Sequence, residues 1–190
     1  MLERLDALLS EYDISYLKWD HNRDLLDAGH GPHAPAAVRD QTLALYRLLD
    51  TLRERHPGVE IESCASGGAR VDLAILERTD RIWASDCIDP VEREPIDRWT
   101  GLLVPPEMVG SHVGSPVAHS TGRATSLDFR AAAAFFGHLG IEWDLTTASE
   151  AERERLAAWV GAHRGLRGLL HAGRSVHADH PDPRCASGVS

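Results

Sequence analysis

Short apolar runs alternate with longer amphipathic runs along most of this chain, and this rhythm limits the folds that the chain can adopt. The short runs predict strands over residues 14–20, 59–64, 81–86, 108–115 and 141–146. The amphipathic runs predict helices over residues 36–56, 69–79, 91–104, 126–139 and 149–170, and a loop rich in Gly, His and Pro is predicted over 27–35. The first of these helices would carry a leucine stripe, and Ser149 would cap the last one. The stripe consists of Leu45, Leu48, Leu49 and Leu52. Regular alternation of strand and helix is typical of βα units around a parallel sheet. We therefore expect an α/β fold with about five parallel strands.

The rhythm ends near residue 168, where the sequence becomes rich in Gly, His and Pro. We expect residues 1–167 to form one domain with a sizeable core, and residues 168–190 to begin another module or a tail. The first residues, 1–12, predict an amphipathic helix without a signal-peptide pattern. One face of that helix would carry Leu5, Leu8, Leu9 and Tyr12.

Charge and cysteine content exclude several classes of partner. The chain has 20 basic and 29 acidic residues, a net charge of −9 with histidine neutral, so no nucleic-acid partner is expected. No apolar run approaches the roughly 20 residues of a membrane helix, so no membrane partner is expected either. Three widely spaced cysteines, with no CxxC or HExxH motif, predict neither a disulfide framework nor a zinc site. A reducing cytoplasm is the simplest location.

Polar and reactive side chains stand where the predicted strands end. In closed barrels and in open doubly wound sheets alike, ligands bind at the carboxyl ends of parallel strands. No GxGxxG motif follows a strand, and the Gly-rich turn at 66–70 is a weak phosphate signal by itself. The strand-end residues are Asp20, Cys64, Asp86, His112 and Asp144.

The stretch YLKWDHNRD places three polar residues at alternate positions. Successive strand side chains point to opposite faces, so Lys18, Asp20 and Asn22 would share one face. The nearby cation would lower the pKa of Asp20 and keep its carboxyl ionised. Such a carboxylate can serve as a nucleophile, a base or an ion ligand. The alternative is a strand-end salt bridge, with Asn22 starting a turn.

A second carboxylate, Asp86, ends the run RIWASD, and Asp89 is its rival three residues later. Two carboxylates at the ends of barrel strands are what glycoside hydrolysis needs, because one attacks the anomeric carbon and the other protonates the departing oxygen. For Asp86 the alternative is a helix cap or a turn. Cys64 could be inert packing, and Gly67 with Gly68 predicts a turn where backbone approaches a ligand or the next helix.

Other residues near the predicted strand ends suit a polar substrate. The Gly-rich segment GSHVGSPVAHSTGR contains His112, His119 and Arg123. Tryptophans at 19, 83 and 143 could stack on sugar rings, although a barrel core explains them equally well.

Five motifs in one order resemble the retaining α-galactosidases of bacteria and fungi, the melibiase type. They are YLKWDHNR, ESCASGGARVD, RIWASDCIDPVER, GSHVGSPVAHSTGR and GIEWDLT. The similarity to the family extends over nearly the whole chain. The resemblance implies a (β/α)8 barrel, preceded by a β-sandwich and followed by a smaller β domain. It implies hydrolysis of terminal α-D-galactose by double displacement with retention, and no metal or cofactor.

The same resemblance assigns roles to individual residues. Asp20 would be the nucleophile and Asp86 the acid/base. The resemblance does not assign the acid/base role to Asp89. The galactose hydroxyls would be bound by four other residues of these motifs, Lys18, Asn22, Cys64 and Gly67. The family more often has KWDMNR, CSGGGGRFD and SDNTDA, so that His21, the run CASGGARVD and Cys87-Ile88 are departures that bear on the sugar pocket.

The chain is much shorter than the resemblance implies. Its five strands would be the fourth to the eighth of the barrel, and residues from 168 would begin the C-terminal β domain. Because five βα units leave two sheet edges unpaired, we expect a poorly stable or homo-oligomeric fragment with weak activity. A non-catalytic remnant is the alternative, and a barrel hydrolase holding a metal between Asp20 and His112 or His119 is a third, less supported reading.

Overall fold

The structure, a computed structural model, describes residues 1–22, 29, 36–177 and 187–189, without the side chains of 177 and 187–189. Apart from Gly29, the loop predicted over 27–35 lies outside the described residues, as does Cys185. The chain divides into two compact units, Met1–Ile82 and Trp83–Ser190, and the division falls within one strand. Each unit is described by itself below.

The first unit contains two full strands and the start of a third, separated by helices. β1 pairs with β2 in parallel, with Tyr16 opposite Glu60 and Trp19 opposite Ser63, and β2 pairs with β3 in parallel. The elements in chain order are α1 (Leu2–Glu11), β1 (Tyr16–Trp19), α2 (Val38–Arg55), β2 (Glu60–Ser63), α3 (Leu73–Leu76) and β3 (Arg81–Trp83).

The core of the first unit forms where α2 covers the sheet. Leu49 of α2 packs with Ile61 of β2 and Ile75 of α3, and all three are buried. The leucine stripe predicted for α2 is therefore confirmed. The face predicted for α1 is only partly right, because Leu9 is buried whereas Leu8 and Tyr12 are exposed.

The second unit repeats the strand–helix pattern and ends in a small separate sheet. β4 pairs with β5 in parallel, with Gly110 opposite His138, and β6 pairs with β7 in antiparallel fashion. The remaining elements are α4 (Pro90–Thr100), the 3-10 turn Pro106–Met108, β4 (Val109–Gly114), α5 (Leu127–Ala134), β5 (His138–Glu142), α6 (Glu150–Leu170), β6 (Ser175–His177) and β7 (Ser187–Val189).

Helix packing and helix capping hold the second unit together. Its core joins Val113 of β4 to Ala131 and Ala134 of α5 and to Leu156 of α6. The predicted cap of α6 is confirmed: Ser149 accepts from the Glu152 backbone N–H, and the Glu152 side chain accepts from the Ser149 backbone N–H. This reciprocal arrangement satisfies two donors that a helix start leaves without partners.

Four predicted elements need correction. The helix predicted over 69–79 shrinks to the single turn of α3, and the one over 91–104 continues through Pro95 to Thr100. The helix predicted over 126–139 ends at Ala134, and the strand predicted over 141–146 is β5, so Asp144 lies beyond it. Gly137, three residues after the end of α5, approaches β4 closely, because a Cβ there would stand 2.5 Å from the Val109 carbonyl oxygen.

Parallel pairing of chain-adjacent strands, with helices between them, is the arrangement expected for consecutive βα units of a (β/α)8 barrel. The predicted boundary after residue 167 stays a prediction, and α6 runs through it to Leu170 before the β6–β7 pair begins. Within the described parts of the chain, no helix combines the length and the apolar character needed to cross a membrane.

Candidate active site

In the first unit, Asn22 connects the end of β1 to the turn after β2. Its amide nitrogen Nδ2 donates to Asp20 Oδ2 at 3.0 Å, and its Oδ1 accepts from the Ser66 backbone N–H at 2.7 Å. Because both ends of the amide are engaged, its orientation is fixed and one N–H points at the Asp20 carboxylate. The predicted grouping of Asp20 and Asn22 is therefore present, and Asn22 does more than start a turn.

The turn after β2 has an unusual backbone. Ser66 and Gly67 both have positive φ, of 49° and 76°, and Ala65 N–H donates to the Gly67 carbonyl oxygen at 3.0 Å. Left-handed backbone is easy for glycine and costs a residue with a side chain roughly 1 kcal/mol or more. This geometry points the Ser66 N–H at Asn22. A backbone hydrogen bond from Gly67 also reaches the Cys64 thiol.

The Asp20 carboxyl is held in its ionised form. Burial acts to raise the pKa of Asp20, but hydrogen bonds from the Cys64 thiol, the Asn22 amide and the His21 backbone outweigh it and lower the pKa. Conversely, burial and the bond to Asp20 raise the pKa of the Cys64 thiol, so the sulfur keeps its proton and donates it. The result is an oriented anion beside a buried S–H donor, which suits a nucleophile or a base.

Lys18 lies on the predicted face, where it contacts Glu62, a residue that was not predicted to belong to the site. Its ammonium is 3.5 Å from Glu62 Oε1, and the Tyr16 hydroxyl donates to Glu62 Oε2 at 2.5 Å. Burial, then the bond to Glu62, raise the pKa of Tyr16. Lys18 does lower the pKa of Asp20, as predicted, but less than the hydrogen bonds do. Glu60, Glu62 and Cys64 alternate along the strand predicted over 59–64. This alternation places Glu62 on the same face as Cys64 and could have identified it.

In the second unit, Asp86 follows β3 and is exposed. The indole nitrogen Nε1 of Trp83 donates to Asp86 Oδ1 at 3.0 Å. The alternative of a helix cap is wrong for Asp86, because Asp89 caps α4 by accepting from the Val91 backbone N–H at 2.9 Å. Asp86 therefore keeps one carboxylate oxygen oriented by an indole and lies outside the helix.

Asp89 is fully buried and ties the loop after β4 to the start of α4. It accepts from the Thr121 hydroxyl and from Arg123 Nη1, the latter at 2.7 Å, and Arg123 Nη2 also donates to Glu92 at 3.1 Å. Burial acts to raise the pKa of Asp89, but the bonds from Thr121, Val91 and Arg123 lower it. Arg123 is therefore paired with two carboxylates of its own chain, Asp89 and Glu92.

His112 lies within β4 rather than at its end. Its ring nitrogen Nδ1 is 3.0 Å from Glu142 Oε2 of β5, and its ring lies 4.4 Å from the Trp83 ring. His119 is exposed in the loop that follows. For the metal alternative, no group of three or more His, Cys, Asp or Glu side chains suited to a metal ion occurs in the described residues.

Two buried arginines of the second unit bind carbonyl oxygens at strand ends. Arg93 of α4 donates to Ser85 O at 2.9 Å and to Gly110 O at 3.0 Å. Arg130 of α5 donates to the carbonyl oxygen of Gly114, the last residue of β4. Each guanidinium also lies over an indole ring, Arg93 over Trp83 and Arg130 over Trp143. Such contacts give backbone carbonyl oxygens in and beside the strands a partner on a neighbouring helix.

A family model described as Melibiase matches residues 1–173. The chain belongs to this family. The resemblance drawn from the five motifs is thereby confirmed. Among curated relatives, the chain is 45% identical over 175 residues to an alpha-galactosidase of Escherichia coli, which covers 92% of this chain and 24% of that relative. The chain thus spans about a quarter of the length of that melibiase.

Solved structures of melibiases agree with this fold. A variant of alpha-galactosidase AgaA from Geobacillus stearothermophilus in complex with stachyose matches with a TM-score of 0.89 and 31% identity, over 95% of this chain and 26% of that one. Another AgaA variant, in complex with raffinose, matches with a TM-score of 0.88 and 32% identity over the same shares. The partial barrel is therefore the melibiase catalytic fold.

Proposed function

We propose that this chain carries the two catalytic carboxylates of an α-galactosidase that removes terminal α-D-galactose from melibiose- and raffinose-type sugars. The observation that carries the proposal is the ionised, oriented Asp20 carboxylate in a chain 45% identical to an alpha-galactosidase. Structures of similar chains hold stachyose and raffinose, which supports an α-galactoside as the substrate class.

In the proposed mechanism, Asp20 attacks the anomeric carbon while the bond to the leaving oxygen breaks. Asp86 gives its proton to that oxygen, so the first step leaves a galactosyl ester on Asp20 and an ionised Asp86. Water then attacks the same carbon, its proton passes to Asp86, and the ester bond to Asp20 breaks. Two inversions at one carbon give overall retention.

Four residues are assigned to the galactose hydroxyls. The Asn22 Nδ2 group bound to Asp20 carries a second hydrogen, which suits a sugar hydroxyl beside the nucleophile. Cys64 supplies its thiol, and Gly67 supplies backbone that can approach the ring closely because it has no Cβ. Lys18 supplies an ammonium with three hydrogens beside Glu62.

The test is hydrolysis of an aryl α-galactoside by the purified chain, with phenol release as the signal. We expect wild-type turnover, a loss of about 10³-fold or more in Asp20→Asn, and α-galactose as the first sugar seen by NMR. The N-acetylgalactosaminide of the same phenol, run in parallel, tests which sugar is preferred. Turnover no greater than that of Asp20→Asn would instead support the non-catalytic remnant. The cytoplasmic location stays a prediction.

A further inference from the structure

Arg70 connects the carboxyl ends of β1 and β2. Its Nη2 donates to the Trp19 carbonyl oxygen at 2.9 Å and to the Cys64 carbonyl oxygen at 2.8 Å. Its Nε donates to Ser63 Oγ at 3.2 Å, and that hydroxyl donates back to the Arg70 carbonyl oxygen at 3.1 Å. One guanidinium therefore bonds to both strand ends and to the turn that leaves β2.

The two carbonyl oxygens belong to the backbone that carries the proposed nucleophile and its thiol donor. Trp19 immediately precedes Asp20, and its carbonyl oxygen also accepts from the Cys64 backbone N–H at 2.8 Å. A planar guanidinium offers donors in fixed directions, so it sets the spacing of the acceptors that it joins. Arg70 therefore sets the spacing between the carbonyl oxygens of Trp19 and Cys64.

We infer that Arg70 is a positioning residue, which holds the ends of β1 and β2 so that the Cys64 thiol donates to the Asp20 carboxylate. This inference rests on the proposed function, in which Asp20 attacks the sugar. Arg70 itself bonds to backbone and to Ser63, and it acts on the reaction only through Asp20.

The balance of forces on Asp20 makes this role measurable. Burial and hydrogen bonding act on the Asp20 pKa in opposite directions, and hydrogen bonding prevails. If the strand ends separate, the thiol bond weakens and the pKa of Asp20 rises. Because the Arg70 charge also interacts with Asp20, the variant that keeps this charge, Arg70→Lys, isolates the effect of the lost hydrogen bonds. Substitution of a residue that serves only the fold would lower the melting temperature without changing the pKa of Asp20.

The experiment follows the Asp20 carboxyl by NMR, with 13C-labelled aspartate in the full chain and Asp20→Asn to assign its signal. We expect the pKa of Asp20 to rise by about one unit in Arg70→Met and by less in Arg70→Lys, which keeps the charge without the fork. Arg78→Met is the matched control, because Arg78 is also half-buried in the first unit and donates to the Ala74 carbonyl oxygen at 2.7 Å. It should leave the Asp20 pKa unchanged.

An unchanged Asp20 pKa in folded Arg70→Met would overturn the inference. So would unfolding of both Arg70 variants while Arg78→Met stays folded, since that result assigns Arg70 to the fold alone. The NMR readout needs no turnover, so it separates the two hypotheses. A wild-type chain without hydrolysis, but with a pKa that responds to Arg70, refutes the proposed function and supports the positioning role. If the chain hydrolyses the substrate, Arg70→Met should lower kcat by a larger factor than it changes KM.

Discussion

At the scale of single residues, the environment of Asp20 is built from short-range donors. The thiol of Cys64 and the amide of Asn22 both donate to its carboxylate, and the turn containing Ser66 orients that amide. Hydrogen bonds of this kind stabilise the charged form of a carboxyl group. The ionisation of the proposed nucleophile therefore depends on neighbours within a few ångströms.

Removing the thiol should raise the pKa of Asp20. Because an ionised Asp20 is the active form, the acid limb of the kcat/KM profile should move to higher pH in Cys64→Ala. In Cys64→Ser, whose hydroxyl also donates, the limb should move less. The measurement is aryl α-galactoside hydrolysis between pH 3 and 8, which spans roughly the range where carboxyl groups titrate. An acid limb that does not move in Cys64→Ala would contradict a donor role for the thiol.

A side chain at position 67 should destabilise the fold. With φ at 76°, Gly67→Ala should lower the free energy of unfolding by about 1–2 kcal/mol, as measured by urea denaturation. Gly58→Ala is the control, since Gly58 lacks this positive φ and has open space around its Cβ position. There we expect a gain of about 0.4–1 kcal/mol, because alanine restricts the unfolded chain. Equal effects at both glycines would count against backbone strain.

At the scale of elements, buried side chains fix how loops meet helices. Asp89 caps α4 and, through Thr121 and Arg123, holds the loop after β4 against that helix. The same region contains Asp86, which follows β3. Removing one partner of a buried ion pair is strongly destabilising, because the other partner is left without its counter-charge.

Asp89→Asn should therefore destabilise the fold. The neutral amide keeps the size of the side chain but loses the charge opposite Arg123, and we expect a loss of about 2–3 kcal/mol in urea unfolding at pH 7. The matched control is Asp128→Asn, because Asp128 pairs with Arg155 at 2.7 Å with both side chains exposed, and it should change stability little.

The pH dependence of this effect has a defined sign. Since the folded-state pKa of Asp89 lies below its ordinary value of 3.8, its contribution is fully present above that value. It disappears as the pH falls through the lowered pKa. Wild type and Asp89→Asn should thus converge in stability only at pH values below 3.8. Convergence near neutral pH would refute the assignment.

Capping should decide the stability of α6. Ser149→Ala removes one half of the reciprocal cap and should cost about 1 kcal/mol. Ser10→Ala, the same substitution at an exposed position in the last turn of α1, should be neutral or slightly stabilising because alanine favours helix. Thermal unfolding of both variants measures the difference.

The elements show what a sequence pattern can predict and what it cannot. The strands, the apolar stripe of α2 and the cap of α6 follow from local periodicity and capping chemistry, and all were predicted. The end of α5 was missed because AAAAFF is apolar throughout and contains no local stop signal, and the close approach of Gly137 to β4 is a contact that the pattern does not show. The pairing of Lys18 with Glu62 is likewise a contact between strands 44 positions apart, which periodicity alone does not show.

At the scale of the whole molecule, the first and the last of the five parallel strands each have one neighbour. β1 pairs only with β2, and β5 only with β4, in the part of the chain that the structure describes. Unpaired strand edges are templates for association with another chain. This observation supports the prediction that the chain self-associates, which stays a prediction.

Association through β5 should be sensitive to charge on that strand. Ile141 is exposed on β5, and Ile141→Lys should shift sedimentation velocity profiles towards the monomer, because an edge lysine opposes strand pairing. Leu166→Lys on α6 changes a similarly exposed side chain away from the edge and should leave the profile unchanged. If both variants behave like the wild type, β5 is not the contact.

Three arginines bind carbonyl oxygens at strand ends: Arg70 in the first unit, and Arg93 and Arg130 in the second. A guanidinium does not lose its proton at any pH that a cell experiences. The chain also contains 11 histidines, whose charge changes around neutrality. The hydrogen bonds to these carbonyl oxygens thus come from groups whose charge does not change near neutral pH. We expect the Arg70 contacts beside Asp20 to persist while the histidine charge of the molecule changes.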